Sequence, residues 1–338
     1  MGAGPAKRGT ALNNMSDSLS SAKTTACPVC GGATETFFRD LFDDRYGYPD
    51  LFGLQKCSHC GHRHVPTPFT AEEIGNLYTT YYPRKDFDLE SFQSPPEMSG
   101  FRAWLLGERG SAFRWVPRNV KVLDIGCGTG QNLAYHQKRG CEALGIEADG
   151  NVLAIAARHG LKITNGVFDG SQFESFYFDY VTLDQVAEHV TDPLRLMRGV
   201  HRVLKHGGIA VVTTPNPDSF GARLYGRRWL NWHTPYHMQF YTRRSMAILA
   251  QQAGLVLAEA RTITASEWQF FQWWHAATFP RRGQKSVFWC PQQVEGGGRL
   301  IDKLVDSVRR YIPVHWLVSR VLDGLGIGDN RVFILRKP

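Results

Sequence analysis

The stretch Val122-Leu123-Asp124-Ile125-Gly126-Cys127-Gly128-Thr129-Gly130 constrains this chain more than any other. An apolar run enters a turn with glycine at every second position, and Gln131 to His136 then has the composition to open a helix. Strand, glycine turn and helix in that order make a nucleotide cradle, because a Cβ at the glycines would collide with a ligand lying close over the backbone. A dinucleotide fingerprint needs a third glycine three positions after the second, and Gln131 stands there instead. The expectation is a Rossmann-like α/β sheet whose first strand carries an acid, Asp124, at its mouth.

The residues that follow repeat the strand–helix alternation. Cys141 to Ile146 is a second apolar run ending in Glu147, 23 residues after Asp124, where an acid is placed to accept both hydroxyls of a ribose. Gly166-Val167-Phe168-Asp169 reads as the end of a third strand, with Phe168 and Asp169 suited to the edge of an adenine ring. A fourth strand, Phe178 to Leu183, runs into Asp184 and then Glu188-His189-Val190-Thr191-Asp192-Pro193. A helix over Leu194 to Leu204, a turn at Gly207-Gly208 and a strand over Ile209 to Thr213 complete the pattern.

These segments carry a resemblance. D-x-G-x-G-x-G at 124–130 resembles the first motif of class I S-adenosylmethionine-dependent methyltransferases, and an acid ahead of the glycines suits a cofactor with an ammonium and a sulfonium. FDxV at 178–181, EHVxDP at 188–193, RVLKxGG at 202–208 and TPN at 214–216 look like the later motifs of the ubiquinone and sugar branch of that family. His206 departs from the family's usual proline in the K-P-G-G turn. The resemblance implies a seven-stranded methyltransferase sheet, with Asp124, Gly126, Gly128, Gly130, Glu147, Phe168, Asp169 and Asp184 holding S-adenosylmethionine.

Four of the seven cysteines fall in two C-x-x-C-G knuckles, Cys27-Pro28-Val29-Cys30-Gly31 and Cys57-Ser58-His59-Cys60-Gly61. Two such pairs give four soft thiolates, the closed tetrahedral set of structural zinc, with no open position for water. A dithiol pair or a site that has lost its metal is the alternative. Between Cys27 and Cys60, Arg39, Arg45 and Lys56 face Glu35, Asp40, Asp43, Asp44 and Asp50, so nucleic acid is not the expected partner. A zinc front end joined to a core with P-N-x-x-S at 215–219 and P-x-H-x-x-F-Y-T at 235–242 resembles methyltransferases of bacterial deoxysugar, capsule and lipopolysaccharide pathways.

The expected organisation is a disordered tail over 1–23, a zinc-binding domain over 24–68 and a helical linker or cap over 69–118. The cofactor-binding core follows over 119–264, then a helical insertion over 265–328 and a closing strand over 329–338. Within the cap, Thr70-Ala71-Glu72-Glu73 opens a helix, the aromatics Tyr78, Tyr81, Tyr82 and Phe87 follow, and Phe101 to Val116 has helical spacing. The net charge of +8 is uneven: Gly199 to Pro338 carries 19 Lys and Arg against 8 Asp and Glu, a bias that suits an anionic acceptor. No apolar run reaches the ~18 residues of a spanning helix, and the start is polar, so a cytoplasmic protein is expected. Trp268, Phe270, Phe271, Trp273 and Trp274, followed by Arg281, Arg282 and Lys285, leave open both burial and peripheral contact with a membrane face.

Methyl transfer needs a fixed donor, an acceptor in line with it and a base for the acceptor's proton. Histidine titrates near neutrality, and His189 and His237 both fall after sheet strands at the edge where open α/β folds bind ligands. Either is a candidate base, with a loop-ordering role as the alternative. The reading is a methyltransferase acting on a sugar, nucleotide-sugar or related small-molecule precursor. An RNA methyltransferase and a non-catalytic cofactor-binding scaffold are its rivals.

Overall fold

The computed structural model describes residues 26–66, 69–81, 92–290 and 314–338. The tail over 1–23, Tyr82 and Phe87 of the aromatic cluster, and residues 291–313 of the expected insertion lie outside these residues.

The chain begins with a hairpin of β1 (Thr34–Phe42) and β2 (Leu51–Cys57), followed by the two-residue β3 (Arg63–His64). Helix α1 (Ala71–Asn76) starts where Thr70 accepts from Glu73 N–H and Glu73 answers at the Thr70 N–H, a complete capping box. Helix α2 (Gly100–Leu106) is shorter than the apolar spacing over 101–116 suggests. Gly107 ends it with φ +70, and a Cβ there would lie 2.1 Å from the Thr264 carbonyl oxygen, so the chain turns where only glycine fits. The remaining apolar residues, Phe113 among them, enter the core from short turns.

The central sheet is built from β4 (Lys121–Ile125), β5 (Glu142–Glu147), β6 (Lys162–Asn165), β7 (Phe178–Asp184), β8 (Leu204–Pro215), β10 (Val256–Thr262) and β11 (Asn330–Arg336). Its order is β10-β11-β8-β7-β4-β5-β6, parallel except for β11, which runs antiparallel between β8 and β10. The closing strand is thus an interior strand paired on both edges. Strand order reverses between β4 and β7, which makes the carboxyl ends of these two strands the crevice of the sheet. The run Gly166 to Asp169 lies just past β6, not within it.

Between the strands run α3 (Gln131–Lys138), α4 (Leu153–Arg158), α5 (Pro193–Val203), α6 (Phe220–Tyr225) and α7 (Arg243–Gln252). The D-P pair of the EHVxDP segment starts α5: the Asp192 side chain accepts from Arg195 N–H, and Pro193 takes the first helical position. Leu196, Met197 and Val200 of α5 and Met246 and Leu249 of α7 pack with Leu123, Val181, Val212 and Phe333 of the sheet in one core cluster. Leu133 and Ala156, from α3 and α4, belong to a second cluster with Val122 and Ala143.

A four-stranded sheet, order β1-β2-β3-β9, carries the cysteine pairs. Its last strand, β9 (Gln239–Phe240), comes from the segment after β8, so the front end is closed by residues of the core. Helices α8 (Glu267–Ala277) and α9 (Val314–Gly324) pack on one another. On α8 the buried face is partly polar: Gln272 accepts from Leu230 N–H and His275 pairs with Asp44, while Trp268 and Trp273 stay more than a third exposed. Among the described residues no helix is long and apolar enough to cross a membrane.

Candidate active site

The glycine turn sits at the carboxyl end of β4. Gly126, Gly128 and Gly130 all have positive φ. A Cβ on Gly126 would strike Val186 at 2.6 Å and one on Gly130 would strike Leu161 at 2.6 Å, so these two glycines serve the protein's own packing. Over Gly128 a Cβ would meet nothing within 4 Å, and that open space is where a ligand can approach the main chain.

Two carboxylates flank this opening. Asp124 is buried; Thr182 Oγ1 donates to its Oδ1 at 2.6 Å, and its Oδ2 has no hydrogen-bond partner. Burial pushes its pKa up to about 7, an effect that Thr182 and the nearby Asn132 side chain only partly offset. Glu147, ending β5, is held against the turn: Gly128 N–H donates to Oε2 and Asp149 N–H to Oε1, both at 3.0 Å. Each oxygen keeps a second lone pair for a hydroxyl.

Phe168 is buried beside α5, where its ring would meet a Cβ on Gly199 at 2.9 Å. The Asp169 carboxylate accepts from the Ser171 hydroxyl and N–H and from Arg195. These partners hold its pKa down to about 2, so it is ionised and already engaged. Asp184 ends β7, accepts from the Thr213 hydroxyl and is pushed above the usual carboxylate range by burial. With Gln185, Asn231, Trp268, Asp329 and Asn330 it lines a small cleft at the carboxyl edge of β7 and β8.

His189 and His237 come together, their rings 4.7 Å apart and nearly perpendicular. His189 Nδ1 lies 2.9 Å from the Tyr236 carbonyl oxygen and 3.2 Å from the Tyr78 hydroxyl; His237 Nδ1 lies 2.8 Å from the Asn231 carbonyl oxygen. A carbonyl accepts only, so Nδ1 of each ring carries the proton and Nε2 carries the lone pair. Burial lowers the pKa of His189 to about 4 and that of His237 well below its ordinary value, leaving both rings neutral at pH 7. Met238 N–H donates to the Glu188 carbonyl and the Tyr241 hydroxyl to the Ala187 carbonyl, clamping the two histidine-bearing segments to each other.

Glu188 lies beneath this pair, fully buried, with neither carboxylate oxygen hydrogen-bonded. Desolvation raises its pKa to about 8, so it keeps its proton at neutral pH. Sequence reasoning leaves out Asn231 and Thr182. The first acts through its main-chain carbonyl, which has no residue signature. The second does have one, a hydroxyl on the strand beside Asp124.

The four cysteines converge from two matching knuckles. Gly31 N–H donates to the Cys27 carbonyl and Gly61 N–H to the Cys57 carbonyl, and both glycines have positive φ. Sulfur–sulfur distances of 3.4 Å (Cys30–Cys57 and Cys30–Cys60) and 3.6 Å (Cys27–Cys60) approach the ~3.8 Å edge of a tetrahedron with Zn–S bonds of about 2.3 Å. The donor set therefore fits zinc. His59, His62 and His64 stand outside it; His62 Nε2 bonds Gln239 Oε1 at 2.9 Å across the β3–β9 junction.

Residues 90–260 match a family model described as a methyltransferase domain. A ubiquinone biosynthesis O-methyltransferase of Ruegeria sp. (strain TM1040) is 32% identical over 148 residues, 40% of this chain and 60% of that protein. One from Xanthomonas axonopodis pv. citri (strain 306) is 27% identical over 169 residues, 46% of this chain and 71% of that protein. The chain thus spans about 60% of the length of the first of these relatives. Among solved structures, geranyl diphosphate C-methyltransferase from Streptomyces coelicolor A3(2) aligns with a TM-score of 0.44 at 14% identity, covering 70% of this chain and 78% of that one. For the 1,6-didemethyltoxoflavin-N1-methyltransferase of Burkholderia thailandensis the TM-score is 0.44 at 11% identity, covering 83% and 97%.

Proposed function

This chain belongs to the methyltransferase-domain family, whose model covers half of it, and from that premise we propose that it moves a methyl group from S-adenosylmethionine to a hydroxyl of a small sugar-type acceptor. The observation that carries the donor half is the unpartnered, buried Asp124 Oδ2 beside the open space over Gly128. An ammonium group is the partner such an oxygen lacks. Glu147, fixed at the same turn, would take the ribose hydroxyls, and Phe168 would flank the adenine. Asp169, whose side chain Ser171 and Arg195 already occupy, would contribute through its main chain.

When bound, the cofactor supplies a methyl group on a positively charged sulfur, ready for in-line displacement. The cleft lined by Asp184, Gln185, Asn231, Trp268, Asp329 and Asn330 supports a polyhydroxylated acceptor, since it joins several polar side chains to one indole. Either His237 or His189 is the base: its neutral Nε2 takes the hydroxyl proton as the oxygen forms its bond to the methyl carbon and the carbon–sulfur bond breaks. Burial of both rings costs proton affinity but keeps the lone pair available at any pH above about 5. Cys27, Cys30, Cys57 and Cys60 would hold a structural zinc, which would take no part in the chemistry because four thiolates leave no position for water.

Calorimetry with S-adenosylmethionine, followed by assay of the demethylated product against a panel of nucleotide-sugars, tests this reading. Binding with turnover on a sugar acceptor is expected. Failure to bind the cofactor rejects the methyltransferase assignment, and binding without turnover on any acceptor favours a scaffold.

A further inference from the structure

Helix α9 is built inside out. A helix on the surface of a water-facing protein turns its apolar residues inward and its polar residues outward. Here His315, Ser319 and Arg320 are buried, while Val314, Leu317 and Val321, with Leu325 just past the last turn, are 53–68% exposed. The inward polar groups have partners that fix this orientation. Arg320 pairs with Asp323 at 2.8 Å and donates to the Trp104 carbonyl oxygen at 2.9 Å. The Asp323 carboxylate accepts from the Thr264 hydroxyl and N–H, both at 2.9 Å. Rotating the helix to hide its apolar stripe would break these bonds in the interior and strand their polar groups.

The helices around α9 expose apolar side chains too: Phe101 and Trp104 on α2, Phe220 and Leu224 on α6. The Arg320 bond to Trp104 sets α2 beside the middle of α9, and Phe220 N–H donates to the Ile327 carbonyl at 2.8 Å, which sets the start of α6 just past its end. Trp273 on α8 meets the His315 ring, with centroids 6.4 Å apart. Exposed apolar side chains on four neighbouring helices mark an interaction surface. Its charge is one-sided: Arg102 on α2, Arg223 on α6, and Arg281 and Arg282 past the end of α8 are exposed, against Glu267 as the exposed acid of these four helices among the described residues. An apolar stripe edged by indoles and guanidiniums suits the boundary of an anionic bilayer, with the stripe among acyl chains, the indoles at headgroup level and the guanidiniums on lipid phosphates. A second copy of this chain would instead set the same arginines against one another.

We propose that the outer stripe of α9, with the exposed apolar side chains of α2 and α6, docks this chain on the surface of an anionic lipid bilayer. The bonds that hold the stripe outward also tie it to the acceptor cleft, because Thr264, the partner of Asp323 and Arg320, lines that cleft together with Trp268. Docking therefore holds the cleft beside the lipid, where a sugar-type acceptor carried on a lipid reaches it. The use of the cleft rests on the methyltransferase reading above; the docking does not.

The test is co-sedimentation of the full chain with vesicles of equal parts phosphatidylglycerol and phosphatidylcholine. Wild type is expected to pellet with them, less as salt rises, and to stay in solution with phosphatidylcholine alone. Leu317→Glu and Val321→Glu should each lower vesicle affinity about tenfold or more, since a carboxylate cannot follow the stripe among acyl chains. Val256→Glu should change nothing, because Val256 is exposed at the start of β10 while Thr262, at the other end, bonds α9 through the Asp323 carbonyl. Without lipid, Val321→Glu should keep the wild-type melting temperature and S-adenosylmethionine affinity. Titration of wild type with that cofactor is a separate reading, because its failure would sink the methyltransferase assignment and leave vesicle binding to stand alone. Three results overturn the proposal. Wild type may fail to pellet with anionic vesicles, or the glutamate variants pellet as wild type does. Sedimentation velocity may find a dimer that Val321→Glu dissolves, which makes the face a contact between copies. A large fall in melting temperature for Val321→Glu without lipid would mean that the chain itself covers the stripe.

Discussion

Asp124 Oδ2 and both carboxylate oxygens of Glu188 are buried without a hydrogen-bond partner. Asp124→Asn keeps the shape and removes the charge, so affinity for S-adenosylmethionine should fall about tenfold or more, ~1.4 kcal/mol, by calorimetry. His237→Ala and His189→Ala should leave that affinity unchanged, and the one that removes the base should lower kcat by roughly a hundredfold or more, the usual share of a general base; the variant that keeps full kcat does not carry the base. Glu188 gives a pH dependence of definite sign. Its folded pKa, about 8, lies above the unfolded carboxylate value, so the native state keeps a proton that the unfolded chain loses. Stability should therefore fall as pH rises from about 4.5 to 8, by up to about 1.4 kcal/mol per pH unit, and Glu188→Gln should remove that share of the slope in urea titrations. His189, lowered to about 4, works on the acid side: its contribution is lost as pH falls from about 6.5 to 4. Asp124 and Glu147 are legible in sequence because a glycine turn fixes main-chain geometry over a few residues. The desolvation of Glu188 and the setting of His189 are not, since Tyr236, whose carbonyl orients that ring, lies 47 residues further on.

At the scale of elements, local chemistry marks starts and stops well, and tertiary contact decides the rest. Thr70 and Asp192-Pro193 announce helices that form where they stand. The apolar spacing over 101–116 suggests one helix, yet Gly107 divides it because the Thr264 carbonyl occupies the space a side chain would need. Gly107→Ala should accordingly destabilise the protein by more than about 1 kcal/mol in chemical denaturation, through both the positive φ and the collision. An effect below that would mean the backbone moves aside. Strand β9 is illegible for a related reason: two residues that pair with β3 leave no alternation to detect.

For the whole molecule, the expected boundary at residue 68 and the observed sheets divide the chain differently. The cysteine-bearing sheet takes β9 from the core, Thr242 at the start of α7 donates its hydroxyl to the Cys60 carbonyl, and Met238 binds both Val65 and Glu188 through its main chain. On the proposed zinc assignment, removing the metal should therefore disturb the histidine pair as well as the cysteines. With a strong chelator, calorimetry should show one cooperative transition moved to lower temperature, and imidazole signals of His189 and His237 should shift; two separate transitions would show that the front end unfolds alone. The shared strand also sets a schedule. His62 and its partner Gln239 are 177 residues apart, so at 5–20 residues per second the ribosome needs about 9–35 s to deliver the strand that completes the cysteine-bearing sheet. Through that interval the nascent chain carries four thiols beside an open strand edge, and a metal bound early by the four cysteines would shield them from oxidation before that edge is covered.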